Sequence, residues 1–207
     1  VFTSLSSTMV RAMTPLASRA ASGAVRIPDV DEATDFYQLG LQELSCLGYQ
    51  QYEISNFARP GAECLHNIGY WQGAYSQGLG VSAHSLLPAR DEEKETGAFY
   101  IRASNFSNTA DYCRAMEEKD TAAESRQPIS RKEAMFEAMM LGLRMNSGIS
   151  GTDFQRRFGT SIRSVYGAPL EQAVQNGLGL WTADGGYRLT TKGLLLENAV
   201  AVELMDV

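Results

Sequence analysis

From Asp29 to Leu47, large apolar residues fall three and four positions apart: Phe36, Tyr37, Leu41, Leu44 and Leu47, with Gly40 on the same stripe. That spacing predicts a helix that buries one face. Asp29 with Glu32 three residues later forms a capping box at its start, and Pro28 closes the extended piece before it. Gly48 is the expected stop. Tyr49 to Ile54 then reads as a short strand, and helix, glycine, strand is the local grammar of a barrel or parallel-sheet unit.

The second half has a different pattern. Glu117 to Pro128 is polar and charged, which places a domain boundary there: 1–120 before it and 128–207 after it. Ser130 and Glu133 form a second capping box, opening a helix with Phe136, Met140 and Leu143 on one face. The methionines of that run (Met135, Met139, Met140, Met145) are read as adaptable core packing rather than as metal ligands. Asp153-Phe154 to Phe158-Gly159 predicts a short helix, and Pro169 to Asn176 another that stops at Gly177. Leu180–Thr182 and Tyr187–Leu189 flank Asp184-Gly185-Gly186, a hairpin signal, and Thr191 to Met205 reads as a final helix. Two helices, a hairpin and a helix suggest a winged-helix-like, mostly helical module. Asp91 to Thr96 is expected to be a charged loop.

Length and charge narrow the possibilities. The chain has 207 residues, enough for one large or two small domains with a sizeable core. No apolar run reaches the roughly 18 residues that span a bilayer, and no secretory signal pattern is visible. The chain starts at Val1 in a serine-rich run, which is expected of a piece of a longer parent. Its net charge of -6 weighs against nucleic-acid binding, which draws its affinity from neutralised phosphates. Residues 151–207 repeat that balance: five basic side chains (Arg156, Arg157, Arg163, Arg188, Lys192) against six acidic ones (Asp153, Glu171, Asp184, Glu197, Glu203, Asp206). Cys46, Cys64 and Cys113 are odd in number and widely spaced, which fits a reducing, cytoplasmic setting rather than a disulfide framework.

Candidate chemistry gathers between Tyr52 and Ser85. This loop-rich stretch holds both histidines of the chain (His66, His84), the adjacent pair Tyr70-Trp71 and a Gly-x-Gly turn (Gly78, Gly80). Glu53, Ser55 and Asn56 stand at a strand's carboxyl end, where function gathers in parallel sheets; Glu53 is either part of a site or a solvated charge. Arg59-Pro60-Gly61 is a turn. His66 either binds a ligand or only hydrogen-bonds within its segment.

The same stretch carries a family resemblance. Y-E-I-S-N-F-A-R-P-G, then C-x-H-N-x-x-Y-W, then G-x-G-x-x-A-H-S resembles the oxygen-independent coproporphyrinogen III oxidase-like proteins of the radical-SAM superfamily. Within them, His66-Asn67-Ile68-Gly69-Tyr70-Trp71 is similar to the signature of the haem-chaperone branch (HemW). The likeness runs weakly from about Met13 to the C-terminus. Met13-Thr14-Pro15-Leu16 resembles the family's G-T-P-L, with methionine where glycine is usual, and Arg11 stands where glutamate is more common. Arg102 and Asn105 match an R-x-x-N pattern of structural character.

The resemblance implies an α/β fold: the last strands and helices of a partial radical-SAM barrel, then the helical domain. It implies haem or porphyrin bound by His66, Asn67, Tyr70, Trp71 and His84, with His66 on the iron, and apo-haemoproteins as recipients. Imidazole suits haem iron, and flat aromatic rings suit the macrocycle. Glu53, Gly78, Gly80 and Ser82 would lie on the S-adenosylmethionine side, and a homodimer is possible. The family's C-x-x-x-C-x-x-C motif, which holds its 4Fe-4S cluster, is not in this chain, so the cluster is expected upstream of Val1. The alternative activity is oxidative decarboxylation of coproporphyrinogen III, to which Gly80-Val81-Ser82-Ala83 gives some support. A winged-helix nucleic-acid binder is the third class, disfavoured by charge.

Overall fold

A computed structural model describes residues 14–119, 121–205 and 207. Arg11 and Met13 lie outside the described residues. The chain forms two compact units, divided between Cys64 and Leu65.

In the first unit, α1 (Pro15–Ala21) is followed by α2 (Val30–Cys46) and a hairpin of β1 (Gln50–Glu53) and β2 (Asn56–Ala58). The Asp29 carboxylate accepts from the Glu32 N–H at 2.9 Å, and Glu32 accepts from the Asp29 N–H at 3.1 Å, so the expected capping box starts α2. Gly48, with φ of 80°, ends it. The buried stripe is narrower than the spacing implied: Phe36 and Leu47 are 63% and 65% exposed, while Tyr37, Leu41 and Leu44 are half-buried. The Tyr37 hydroxyl donates to the Ile54 carbonyl at 3.1 Å and ties α2 to the hairpin tip.

β1 pairs antiparallel with β2, and among the described residues the helix–glycine–strand order is not followed by a parallel pairing. The reason is local: Ile54 and Ser55 make a turn that returns the chain at once. Arg59–Ala62 is a second turn, with Gly61 at φ of 80° and the Ala62 N–H on the Arg59 carbonyl at 2.9 Å. Proline followed by a positive-φ glycine is what a type II turn requires.

The second unit begins with α3 (Leu65–Trp71) and continues through β3 (His84–Pro88), α4 (Asp91–Glu95), β4 (Ala98–Asn105), α5 (Thr109–Lys119) and β5 (Ala123–Ser130). The helical half follows: α6 (Arg131–Gly142), α7 (Gly151–Phe158), α8 (Ile162–Gln175), the hairpin β6 (Gly179–Trp181) and β7 (Tyr187–Leu189), then α9 (Thr191–Leu195) and α10 (Glu197–Val202). Strands β3, β4 and β5 form an antiparallel sheet with β4 central.

The polar stretch read as a domain boundary holds the end of α5 and most of β5, which pairs with β4 from Ala123 to Ser130. Most of its side chains are exposed, and Pro128 is accommodated because an edge strand has one unpaired side. Asp91–Glu95 is a short helix rather than a loop.

One core joins sheet and helices: Tyr100 and Ile129 pack with Met139, Leu143, Phe154, Phe158, Tyr166, Leu170 and Leu189. Met139 and Met145 are buried, as core packing of the methionine run requires. Ser130 and Glu133 cap α6 as expected. Helix α8 starts earlier than expected, because the Ser161 side chain accepts from the Ser164 N–H at 3.1 Å and caps it there. Pro169 thus lies inside the helix, removing one backbone donor without ending it. The final segment is two short helices that meet at Leu196. Gly193 packs against the Leu178 carbonyl too closely for any side chain. Among the described residues no helix is long and apolar enough to cross a membrane.

Candidate functional site

The H-N-x-x-Y-W segment is a helix, α3, where the sequence suggested a loop. Helical spacing brings His66 against Tyr70: ring centroids lie 4.7 Å apart at 86°, edge to face. His66 is exposed and Tyr70 is 50% exposed, so an imidazole and a phenol ring face outward together. Asn67 is half-buried. Trp71 has other company: the Arg144 guanidinium lies over its ring at 4.6 Å. The Trp71 Nε1 is buried and makes no hydrogen bond with the protein. The helix ends where Arg157 donates to the carbonyls of Gln72 and Gly73, both at 3.2 Å.

A second group forms where residues 78–85 run into β3. The Gly78 N–H donates to the Ser85 hydroxyl at 2.9 Å. A Cβ on Gly78 would overlap the His84 carbonyl oxygen and come within 2.8 Å of the Ala83 Cβ, so this close approach requires glycine. Asn105 straps the loop: its side-chain amide donates to the Gly80 carbonyl at 2.9 Å and the Gly78 carbonyl at 3.3 Å. Its backbone N–H meets the Ala83 carbonyl at 2.9 Å. The Ser82 N–H donates to the Phe106 carbonyl at 2.9 Å, and Ser82 itself takes the left-handed conformation at φ of 60°. His84 is exposed at the start of β3, opposite Ser104. Gly78, Gly80, Ser82 and His84 thus share one tied loop, while His66 and Tyr70 share a helix face.

Glu53 belongs to the first unit and is fully buried, not solvated. One carboxylate oxygen accepts from the Ser55 N–H at 3.0 Å and from the Asn56 amide, organising the hairpin tip. The other makes no hydrogen bond with the protein.

Several participants had no mark in the sequence. Glu137 accepts from the Tyr100 hydroxyl and from Arg102, both at 2.7 Å, joining β4 to α6. Burial, with Glu137 alongside, pushes the Tyr100 hydroxyl well above its ordinary value. Arg102 and Asn105 therefore both act structurally. The roles of Arg144 and Arg157 also went unmarked, because nothing in a linear pattern pairs an arginine with a ring or a carbonyl group more than seventy positions away.

Cys46, Cys64 and Cys113 are all exposed and free. Among the described residues no three His, Cys, Asp or Glu side chains are grouped to hold a metal ion. The thiols of this chain lack the close spacing of the family's cluster motif.

Residues 129–196 match the HemN C-terminal domain. The Heme chaperone HemW of Lactococcus lactis subsp. lactis (strain IL1403) is 31% identical over 88% of this chain and 45% of its own length. That of Bacillus subtilis (strain 168) is 28% identical over 86% of this chain and 44% of its own. Over most of its length the chain is similar to the HemN/HemW-like radical-SAM proteins. It spans less than half the length of these relatives. Its fold is similar to that of the Escherichia coli coproporphyrinogen III oxidase HemN, at a TM-score of 0.60, with 19% identity, over 89% of this chain and 44% of that one. The mixed α/β character is common to both.

Proposed function

We propose that this chain is the haem-handling part of a HemW-type chaperone, which binds haem on the 66–84 segment and passes it to apo-haemoproteins in the cytoplasm. The observation that carries this reading is the exposed His66 edge-to-face with Tyr70 on a short, anchored helix. His66 is assigned to the iron and Tyr70 to the porphyrin face. Asn67 and Trp71 support the helix from behind, and His84 is assigned as the second imidazole. The relatives named as haem chaperones support the same branch.

Haem is the cargo here. The 4Fe-4S cluster and S-adenosylmethionine belong, on this reading, to a longer protein, and no step of haem handling is routed through them. Glu53, Gly78, Gly80 and Ser82 are assigned to the S-adenosylmethionine side of that protein. The partial barrel, the 1–120 and 128–207 domain division, the winged-helix-like module and a homodimer are likewise part of the proposal.

The fold likeness to coproporphyrinogen III oxidase favours a second reading, oxidative decarboxylation of coproporphyrinogen III. A winged-helix nucleic-acid role has less support. Arg157 is taken up by the carbonyls just past α3, Arg163 lies over Trp181 at 4.4 Å, and Arg156 pairs with Asp153 at 2.7 Å.

Haem titration of the protein, followed by mixing with an apo-haemoprotein, tests the proposal. Saturable binding with a defined Soret band, and transfer to the acceptor, is the expected result. Absence of saturable binding in this chain and in a cluster-containing relative would refute it. Consumption of coproporphyrinogen III by that relative, without haem transfer, would favour the second reading.

A further inference from the structure

Helix α3 has only seven residues, Leu65–Trp71. A helix that short is marginal by itself and takes its order from what it packs against. Two arginines supply that order, both from the stretch that matches the HemN C-terminal domain. The Arg157 guanidinium, projecting from α7, reaches the Gln72 and Gly73 carbonyls just past the helix end. It closes the terminus with a positive charge where the helix dipole favours one. Arg157 is itself steadied by the rings of Phe158 and Tyr100, at 5.2 and 5.7 Å. The fit is tight: a Cβ on Gly73 would lie 2.9 Å from the Arg157 guanidinium nitrogen.

Arg144 supplies the second hold. It follows α6 and stacks over the Trp71 ring at 4.6 Å. Because the Trp71 Nε1 makes no hydrogen bond with the protein, packing and this stack set the ring's orientation. Arg144 also lies 3.8 Å from the carboxylate of Glu197, a 4% exposed side chain in the first turn of α10. The chain of contacts runs from α10 through Arg144 to Trp71, and from α7 through Arg157 to the end of α3. His66 and Tyr70 sit on the same rigid turn and a half, so their direction follows from these two contacts.

We propose that Arg144 and Arg157 are positioning residues for α3, by which the HemN C-terminal domain sets the orientation of His66 and Tyr70. This rests on the reading of α3 as the haem-binding helix. It assigns that domain a task at the site although it contributes no ligand to it.

The test uses the 207-residue protein with Arg144→Met and Arg157→Met, and Arg144→Lys and Arg157→Lys as charge-retaining variants. A Trp181→Phe background leaves Trp71 as the sole tryptophan, since the chain has two. In the ligand-free protein, amide exchange at Gln72, Gly73 and Ala74 reports the end of α3, because these donors close on Ile68, Tyr70 and Gly69.

The Met variants are expected to exchange faster at these amides and to shift Trp71 emission to the red. Amides of the β3–β4–β5 sheet should be unchanged. Haem affinity should weaken about three- to tenfold, with an altered Soret band. Each Lys variant should recover part of the loss. Should Arg157→Met lose the sheet as well, Arg144→Met and the Lys pair carry the test. Unchanged exchange and emission in both Met variants would overturn the proposal. Altered exchange and emission, combined with a haem spectrum indifferent to His66→Ala, would uphold the positioning role and refute haem binding at α3.

Discussion

Replacing Asn105 by alanine removes the strap on the loop that carries Gly78, Gly80, Ser82 and His84. Two hydrogen bonds go with it, at 2.9 Å to Gly80 and 3.3 Å to Gly78. Asn105 is buried, so the two carbonyls lose a partner that water replaces only partly. At about 1 kcal/mol net for each bond, the loss is about 2 kcal/mol. In a chain of this size that lowers Tm by about 4–8 °C. The backbone bond from the Asn105 N–H to Ala83 survives, so the sheet should persist while the loop loosens. Thermal unfolding followed by circular dichroism gives the magnitude, and amide exchange at Ser82 and Ala83 gives the location. A Tm within about 1 °C of the parent, with both amides equally protected, would refute the assignment of Asn105 as the strap.

Other consequences follow from the same geometry. Gly78→Ala should destabilise by about 2–3 kcal/mol in urea unfolding, because its methyl group meets the His84 backbone. Gly80→Ala should cost less, about 1–2 kcal/mol, since space is open there and only φ of 94° opposes it.

Asp184 accepts from Thr182 at 2.6 Å, Ser150 at 2.8 Å and the Gly186 N–H at 3.2 Å, which holds its carboxyl far below the ordinary range. The unfolded chain therefore binds that proton more tightly, and stability falls as pH drops below about 4. Asp184→Asn should flatten that acid limb of a stability–pH profile, and an unchanged limb would count against the hydrogen-bond account. Duplex DNA should show no salt-sensitive binding in a gel-shift series at physiological ionic strength, given the net charge of -6.

What the sequence made legible was mostly local. Asp29 with Glu32, Ser130 with Glu133, Gly48, Gly177 and the Asp184-Gly185-Gly186 turn act within a few residues, so their patterns survive folding intact. Helix α3 was opaque because His66-Asn67-Ile68-Gly69 is a poor helix former and the helix is closed by Arg157, 85 positions from Gln72. Strand β5 was opaque because an edge strand with polar side chains reads like a linker.

The site was legible as residue types and only partly as geometry. His66 and Tyr70 meet because they are four apart on a helix, a fact of no use while the segment is read as a loop. Trp71 looked like a free aromatic wall, and Arg144 covers one of its faces. Glu53 at a strand end suggested a choice between solvent and function, yet it is buried in its own hairpin tip.

The central claim, that His66 on α3 binds haem iron, is tested most directly by parallel haem titrations. The proteins are the parent, His66→Ala, His84→Ala and the double variant, each first shown to be folded. His66→Ala is expected to shift the Soret band and weaken affinity, while stability changes by only about 1 kcal/mol, since the ring is exposed. His84→Ala should do less. A double variant with the parent's spectrum and affinity, here and in a full-length relative carrying the same substitutions, would contradict the claim.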